Sequence, residues 1–308
     1  MTAFADLSDV ASCREVVRLQ EAVWGAGSEI VPASVLIASA KRGGILIGAV
    51  DGGELLGFVW SMPAVRDAAL THWSHMLGVR PAARGRGIGR ALKLAQRERA
   101  MAAGVELIEW TFDPLQAPNA HLNIAGLGGT ASTYLVDAYG SMSGQLHLGT
   151  PTDRLIVEWR LRAPHVERRL ARSGRQGAPL VRSAEILDVP TALAAADDAG
   201  RAPGAPRLDL DARRLLIAIP PRFTELQQHN ADAALAWRLA ARSVFTTYFA
   251  RGYRVVDFWL SRHQEGGNYL IEKVEKSRSR KVEKSGSRRV ERSKSREVEK
   301  SRGRKVEK

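Results

Sequence analysis

A glycine-rich loop, Arg84-Gly85-Arg86-Gly87-Ile88-Gly89, separates a strand-like run from a helix-like run. Residues 71–79 are a strand candidate that Pro81 ends, and residues 89–103 are rich in helix-favouring Ala, Leu, Lys, Arg and Glu. Glycines bring backbone N–H groups close to a ligand, and the N-terminus of the following helix carries partial positive charge. The arginines in the loop add donors that suit phosphate. An anion site is therefore predicted at the carboxyl end of this strand.

The spacing of the glycines argues against two common nucleotide-binding motifs. Dinucleotide enzymes use Gly-x-Gly-x-x-Gly and an acidic residue at the end of the next strand, whereas this loop reads Arg-Gly-x-Gly-x-Gly. A P-loop needs Gly-Lys-Ser or Gly-Lys-Thr after its last glycine, and here Gly89 is followed by Arg90 and Ala91. The loop therefore belongs to another class of phosphate-binding motif.

The runs around this loop predict an α/β fold with a sheet flanked by helices. Apolar spacing predicts a helix over 8–24, and Asp51-Gly52-Gly53 is typical of a hairpin turn. The remaining predicted elements of this part are strands over 44–50, 54–61, 71–79 and 105–112, and a helix over 89–103 that Gly104 ends. This order places a ligand at the carboxyl end of the strand before the loop.

A smaller α/β half is predicted nearer the C-terminus, with a strand over 214–219, a helix over 232–250 and a strand over 253–260. Residues 237–259 resemble residues 92–112, which suggests a degenerate duplicated half without the glycine loop; two unrelated units of similar composition would also look alike. The predicted division is a first domain over 1–162, a linker region over 163–206 with a candidate short strand at 186–189, and a C-terminal half over 207–272.

The net charge of +13 comes mostly from residues 273–308, which contain 16 Lys and Arg against six Glu in an eight-residue repeat. One valine per repeat gives no continuous apolar seam, so this tail is predicted to be disordered. It is a candidate for weak, salt-sensitive binding to nucleic acid or acidic surfaces. Residues 1–272 carry only +3, so the high pI says little about what the folded part binds.

Composition predicts a soluble protein in the cytoplasm. The chain is 44% hydrophobic and 26% charged, and no apolar run approaches the roughly 20 residues that a membrane-spanning helix needs. The N-terminus shows no secretory signal, and the single Cys13 excludes a disulfide within the chain.

The stretch from Leu77 to Leu92 resembles the acyl-CoA signature of the GNAT superfamily of N-acetyltransferases, in which Gln or Arg precedes x-x-Gly-x-Gly/Ala. Arg84, Gly87 and Gly89 match this pattern. The resemblance covers about residues 5–160 and extends to the blocks 109–114 and 151–154, which are similar to a branch of predicted acetyltransferases without a settled substrate. It implies a mixed central sheet, with acetyl-CoA as co-substrate. The implied contacts are the strand residues Leu77 and Val79 for the pantetheine arm, and Arg84, Gly85, Arg86, Gly87, Ile88, Gly89 and Arg90 for the pyrophosphate.

The resemblance also implies an Asn that contacts CoA and, about seven residues later, a Tyr that protonates the leaving thiolate. Asn119 and Asn123 are candidates for the Asn. The Tyr position falls on Ile124, which has no proton to give. Tyr134 and Tyr139 are the alternative proton donors, although each is also typical of a packed aromatic residue.

A general base must take a proton from an ammonium substrate near neutral pH. His75 is the first candidate, because His75, Leu77 and Val79 are predicted to share one strand face by the two-residue period. Glu109 and Asp113 are alternatives, and His121 is equally consistent with a solvated helix residue. No metal site is predicted, since His72 and His75 lack further ligands at a recognisable spacing.

Three functions remain open from these observations. The first is transfer of an acetyl or other acyl group from CoA to a small-molecule or protein amine in a ternary complex. The second is a non-catalytic acyl-CoA-binding or scaffold protein on the same fold, favoured by the missing Tyr. The third is a nucleic-acid-associated protein that acts through its tail. The acceptor stays open, because acceptor pockets are built from variable loops.

Overall fold

The computed structural model describes residues 2–25, 29–140, 150–171, 188–260 and 266–274. Residues 1–274 form one compact unit. The predicted tail lies outside the described residues, apart from its first two, Lys273 and Val274, and so does part of the predicted linker region. The division at residues 162 and 206 therefore stays a prediction.

Within the described ranges, eleven strands form one mixed sheet in the order β1-β2-β3-β4-β5-β7-β6-β10-β11-β9-β8. The strands are β1 (Ala3–Asp6), β2 (Ile45–Asp51), β3 (Glu54–Arg66), β4 (Ala69–Val79), β5 (Leu107–Phe112), β6 (Thr130–Leu135), β7 (Arg154–Arg160), β8 (Thr191–Leu193), β9 (Arg214–Ile219), β10 (Tyr253–Leu260) and β11 (Gly267–Lys273). The helices are α1 (Val10–Trp24), α2 (Ala33–Ala40), α3 (Ile88–Ala102), α4 (Ala117–Ala120), α5 (Pro164–Ala171), α6 (Phe223–His229) and α7 (Ala231–Ala250).

Two hydrophobic clusters cover the two faces of the first half of the sheet. The smaller cluster joins α1 and α2 to β3 around Phe58 and Trp60. The larger joins α3 to the opposite face through residues such as Leu92 and continues into the second half through α7. The predicted α/β fold with a mixed central sheet is confirmed.

Most of the predicted elements near the glycine loop are confirmed to within a few residues. The predicted hairpin turn joins β2 to β3, with Asp51 opposite Glu54 and positive φ at Gly52 and Gly53. Composition did not reveal α2, β6, β7 or β11, because these elements are short or carry mixed polar and apolar residues. The predicted strand at 186–189 falls mainly outside the described residues, and β8 begins at Thr191.

The second half does not repeat the strand pairing of the first, which corrects the predicted duplication. β4 and β5 are parallel neighbours that flank α3 in the chain. β9 and β10 flank α7 in the same way, but β11 lies between them and is antiparallel to both. The similarity of residues 92–112 and 237–259 therefore extends to a helix followed by a strand and no further.

Candidate functional site

Gly85 and Gly87 hold the loop before α3 in a backbone conformation that favours glycine. Each has a φ of +77°. A Cβ atom at either position would meet no heavy atom within 4 Å. Glycine is therefore required by the backbone conformation and not by a lack of space.

The N-terminus of α3 is left without a side-chain cap. Gly87 is the N-cap residue in the left-handed conformation, and its carbonyl accepts the N–H of Ala91 at 3.0 Å. The N–H groups of Ile88, Gly89 and Arg90 therefore have no acceptor inside the helix. Together with the helix dipole, these groups are suited to bind an anion such as a pyrophosphate.

The arginines of the loop surround this helix end. Arg84 and Arg86 are exposed and Arg90 is half-buried. The Nε atom of Arg84 donates to the carbonyl of Val79 at 3.3 Å, and Arg86 lies 3.6 Å from the carboxylate of Asp51. Such exposed contacts stabilise little, so these guanidinium groups can turn towards a phosphate at small cost.

A cleft opens between β4 and β5 and leads to the glycine loop. The two strands pair only at His72 with Ile108 and at Trp73 with Glu109. Beyond these residues β4 continues to Val79 while its other edge stays paired with β3. The edge of β4 that faces the cleft therefore presents peptide groups that β5 does not satisfy.

Leu77 and Val79 lie on the α3 side of this edge. Both side chains pack against the larger cluster. A Cβ atom at Gly89 would lie 3.8 Å from each of them, which is ordinary contact. The loop, the start of α3 and the end of β4 thus come together as the resemblance implies.

A β-bulge at His75 corrects the prediction that His75 shares a face with Leu77 and Val79. Trp60 is opposite Met76 and Ser61 is opposite Ser74, so His75 has no partner in β3. The extra residue breaks the two-residue period. The ring of His75 packs edge-on against Trp60, with 5.3 Å between centroids, on the face covered by α1 and α2. His75 as a whole is exposed, and the part of its ring that packs against the protein lowers its pKa through loss of solvation.

Glu109 lies at the point where β4 and β5 separate, which is the apex of the cleft. Its side chain is on the same face of the sheet as that of His75. Its neighbours Ile108 and Trp110 pack in the α3 cluster, so the side chain of Glu109 points to the opposite face. Arg66 donates to Glu109 at 2.6 Å and to Glu158 at 3.2 Å. The two candidate bases thus approach the apex from the same side.

The two candidate asparagines lie after β5, in α4 and in the π-helix His121–Gly126 that follows it. Asn119 is exposed and Asn123 is buried. Ile124, where the resemblance places the Tyr, is fully buried. His121 is half-buried with no hydrogen-bond partner for its Nδ1 in the described part of the chain, and burial lowers its pKa.

Tyr134 lies two strands away from β5, on β6, and its ring stacks on Phe245 of α7. Its hydroxyl donates to Asp153 at 2.7 Å. Burial, with the charge of Asp153, raises the pKa of Tyr134 above its usual range. These contacts argue against its role as the proton donor. Tyr139 is exposed and its hydroxyl lies 2.8 Å from Thr111 Oγ1.

Asp113 is engaged in a buried ion pair. Arg238 of α7 donates to both of its carboxylate oxygens at 2.7 Å. Arg242, one turn later, forms a second bidentate pair with Asp153 at 2.9 Å. These pairs join α7 to the first half, which is a structural role.

Sequence reasoning missed Lys93, which is 2% exposed and lies on the inner side of α3. Its Nζ atom donates to Ser74 Oγ at 3.0 Å and to Gln96 Oε1 at 2.7 Å. The signal in the sequence was a pair of polar residues, Lys93 and Gln96, next to the apolar Leu92 and Ala95. Burial lowers the pKa of Lys93 well below its usual range.

Across the described ranges, no group of three or more His, Cys, Asp or Glu side chains is arranged to hold a metal ion. Among the same residues, none of the helices has the length and apolar character needed to cross a membrane.

Residues 14–122 match the model of the acetyltransferase (GNAT) family. No curated protein matches the chain in sequence. Solved structures with a similar fold include the ribosomal-protein-S18-alanine N-acetyltransferase from Escherichia coli, 15% identical over 53% of this chain and 96% of that chain, with a TM-score of 0.43. An acetyltransferase of the GNAT family from Streptococcus pneumoniae is 14% identical over 51% of this chain and 98% of its own, with a TM-score of 0.43. The yncA structure from Salmonella typhimurium, which holds its cofactor acetyl-CoA, is 17% identical over 53% of this chain and 95% of its own, with a TM-score of 0.43.

The matched residues contain most of α1, together with β4, the glycine loop, α3 and β5. The structural matches are distant, and the sequence match is limited to these residues. Residues 14–122 of this chain are therefore similar in sequence to the acetyltransferase (GNAT) family.

Proposed function

We propose that this chain transfers an acetyl or other acyl group from acyl-CoA to an amine by direct attack in a ternary complex. The supporting observation is the glycine loop, which joins the end of the β4–β5 cleft to an uncapped helix N-terminus. A helix end of this kind binds phosphate, and the neighbouring strand edge offers peptide groups to an extended ligand.

In this proposal, the loop, the edge of β4 and the asparagines bind different parts of acyl-CoA. Backbone N–H groups from Gly85 to Arg90 hold the pyrophosphate, with Arg84 and Arg86 as mobile cationic donors. The free edge of β4 pairs with the pantetheine arm, and Asn119 or Asn123 adds a side-chain contact. Acyl-CoA supplies the activated acyl group, and β4 N–H groups near the bulge polarise its carbonyl.

His75 or Glu109 takes the proton from the acceptor ammonium in this proposal. Both lie on the face opposite α3, so the acceptor reaches the apex from the side of α1 and α2. Because the pKa of His75 is lowered, its imidazole is neutral near pH 7 and able to accept a proton. Arg66 fixes the position of Glu109.

A groove on this face is the proposed acceptor site. Its volume is about 420 Å³. It is lined by Ser34, Val35, Ala38, Ser39, Arg42, Trp60, Met62 and Pro63. Trp60 also contacts His75, so the groove and the bulge are neighbours.

A non-catalytic acyl-CoA-binding protein is the second candidate function. The observation that favours it is Ile124, which occupies the position of the expected acid and is fully buried. A protein of this kind would bind acyl-CoA without turnover.

Release of free thiol from acetyl-CoA, measured against a panel of small amines, amino acids and lysine peptides, tests the proposed function. We expect amine-dependent release, intersecting initial-velocity lines, and a loss of about 10²-fold or more in Glu109→Gln or His75→Ala, depending on which residue is the base. Parallel lines would contradict direct transfer. Binding of acetyl-CoA without release across the panel would favour the scaffold.

A further inference from the structure

Lys93 is a buried amine without an anionic partner. In the part of the chain that the structure describes, no carboxylate oxygen lies within 4.0 Å of its Nζ atom. Its hydrogen bonds go to Ser74 Oγ and Gln96 Oε1, and the Nζ atom lies 3.6 Å from the centre of the Trp110 ring. Two oxygen acceptors and one ring face match the three N–H donors of an ammonium group.

The position of this amine is the apex of the cleft. Trp73 and Glu109 are the last residues at which β4 and β5 pair. Ser74 and Trp110, the contacts of Lys93, directly follow them. The amine thus lies on the α3 side of the point where the strands separate, opposite the face that carries His75 and Glu109.

A buried cation without a counter-ion is costly, so it releases its proton readily or gains stability when an anion arrives. The charged and titratable groups on the neighbouring elements do not supply that anion. His72, on the same face of β4, is hydrogen-bonded to Ser61 Oγ, and Trp159 of β7 contributes only its ring, with its centroid 5.6 Å from Lys93 Nζ. Expulsion of CoA from a thioester at the apex would create such an anion, the CoA thiolate.

We infer that Lys93 donates a proton to the CoA sulfur as the thiolate leaves, a role that rests on the proposed acyl transfer. When the tetrahedral intermediate collapses, the C–S bond breaks and its electron pair goes to sulfur. A proton passes from Lys93 Nζ to sulfur, giving free CoA thiol and a neutral lysine. The proton lost by the attacking amine returns the lysine to its charged form through solvent.

Two further observations agree with this assignment. Burial lowers the pKa of Lys93 well below its usual range, so its ammonium gives up a proton more readily than an exposed lysine when a thiolate forms beside it. Ile124 has no proton to give, and the Tyr134 hydroxyl already donates its proton to a hydrogen bond with Asp153.

The test is a titration of the thiol of enzyme-bound CoA, followed by thiolate absorbance, in the full-length wild type and in Lys93→Met, Lys93→Gln and Lys41→Met. A neighbouring ammonium stabilises a thiolate, so the thiol pKa should be lower by about one unit or more in the wild type than in either Lys93 variant. The Lys41→Met variant, which removes an exposed lysine, should match the wild type. Desulfo-CoA should bind all four proteins equally.

Equal thiol titration in the wild type and the Lys93 variants would overturn the role of Lys93 while leaving CoA binding intact. Absence of CoA binding by the wild type would overturn the proposed function and this inference together. Lys93→Gln keeps a hydrogen-bonding group near Ser74, so it serves if Lys93→Met does not fold. Once an amine acceptor is identified, Lys93→Met and Lys93→Gln should each lower kcat by about 10²-fold or more and leave the KM for acetyl-CoA unchanged.

Discussion

At the scale of single residues, the ion pair between Asp113 and Arg238 is the clearest determinant of stability. Arg238 is 1% exposed, and its Nε atom is buried without a partner in the described ranges, so the pair depends on both Asp113 contacts. We expect Asp113→Ala to lower the free energy of unfolding by about 3–5 kcal/mol, because it leaves a buried guanidinium without a counter-charge.

The double variant Asp113→Ala with Arg238→Met should recover a large part of this loss, since no charge is then stranded. Denaturant unfolding of the three proteins measures the difference. A double variant as unstable as Asp113→Ala would show that the unpaired charge of Arg238 is not the cause of the loss.

The hydrogen bonds of Asp153 lead us to expect that the protein loses stability in acid. Burial alone raises its pKa, but hydrogen bonds from Arg242, the Asp137 N–H and the Tyr134 hydroxyl outweigh burial and set the pKa below its ordinary value. The stabilisation is therefore complete above the ordinary pKa of about 3.9 and is lost as the pH falls through the lower folded-state value.

We expect the wild type to lose stability steeply below about pH 4, and Asp153→Asn to be less stable at pH 7 with a shallower acid decline. Thermal melts between pH 7 and pH 2.5 measure both slopes. Asp188→Asn, which changes an exposed carboxylate, should follow the wild type. Identical slopes for Asp153→Asn and the wild type would contradict the pKa assignment.

The backbone conformation of the loop could be predicted from the sequence, whereas the surroundings of the catalytic candidates could not, for a physical reason. Gly85 and Gly87 matter through their own backbone conformation, which a local pattern reveals. The environments of Tyr134, Asp113 and Lys93 depend on partners distant in the chain, such as Asp153 and Arg238. No periodicity or spacing in one sequence reports such contacts.

At the scale of elements, the backbone requires glycine at only one of the two glycine positions at the start of α3. Gly87 has positive φ, whereas Gly89 is in the first turn of the helix and its Cβ would make only ordinary contacts. We expect Gly87→Ala to lower stability by about 1–2 kcal/mol, and Gly89→Ala to raise it by about 0.5–1 kcal/mol. Thermal melts of the two variants test this, and a stabilised Gly87→Ala would contradict the loop conformation.

Helices and strands near the loop follow their local patterns, but their pairing does not. The bulge at His75 adds one residue to β4 and moves that side chain to the other face. The insertion of β11 between β9 and β10 separates strands that a helical crossover would otherwise bring together. Both features are set by neighbouring strands, so a period-based prediction misses them.

At the scale of the whole molecule, the second half supports the first through α7. Phe245 stacks on Tyr134, and Arg238 and Arg242 neutralise Asp113 and Asp153. We expect a chain ending at residue 162 to lack cooperative thermal unfolding, because it exposes this apolar face to water and removes the arginine partners of Asp113 and Asp153. A cooperative transition followed by circular dichroism would show instead that residues 1–162 fold alone.

A chain ending at Val274 should keep the stability and the CoA affinity of the full chain. β11 ends at Lys273, and the Val274 N–H donates to the Gly252 carbonyl, so both residues stay in this version. The repeat tail remains a candidate for weak binding to nucleic acid, and its removal separates that property from acyl transfer.

Calorimetric titration of acetyl-CoA and CoA into the wild type, Gly89→Ala and Gly89→Asp tests acyl-CoA binding at the glycine loop most directly. An aspartate in the first turn of α3 favours the helix but places a negative charge where the pyrophosphate binds. We predict binding by the wild type and a loss of at least about 100-fold in Gly89→Asp, with no fall in Tm. Equal affinity in Gly89→Asp and the wild type, or no binding by the folded wild type, would contradict the account.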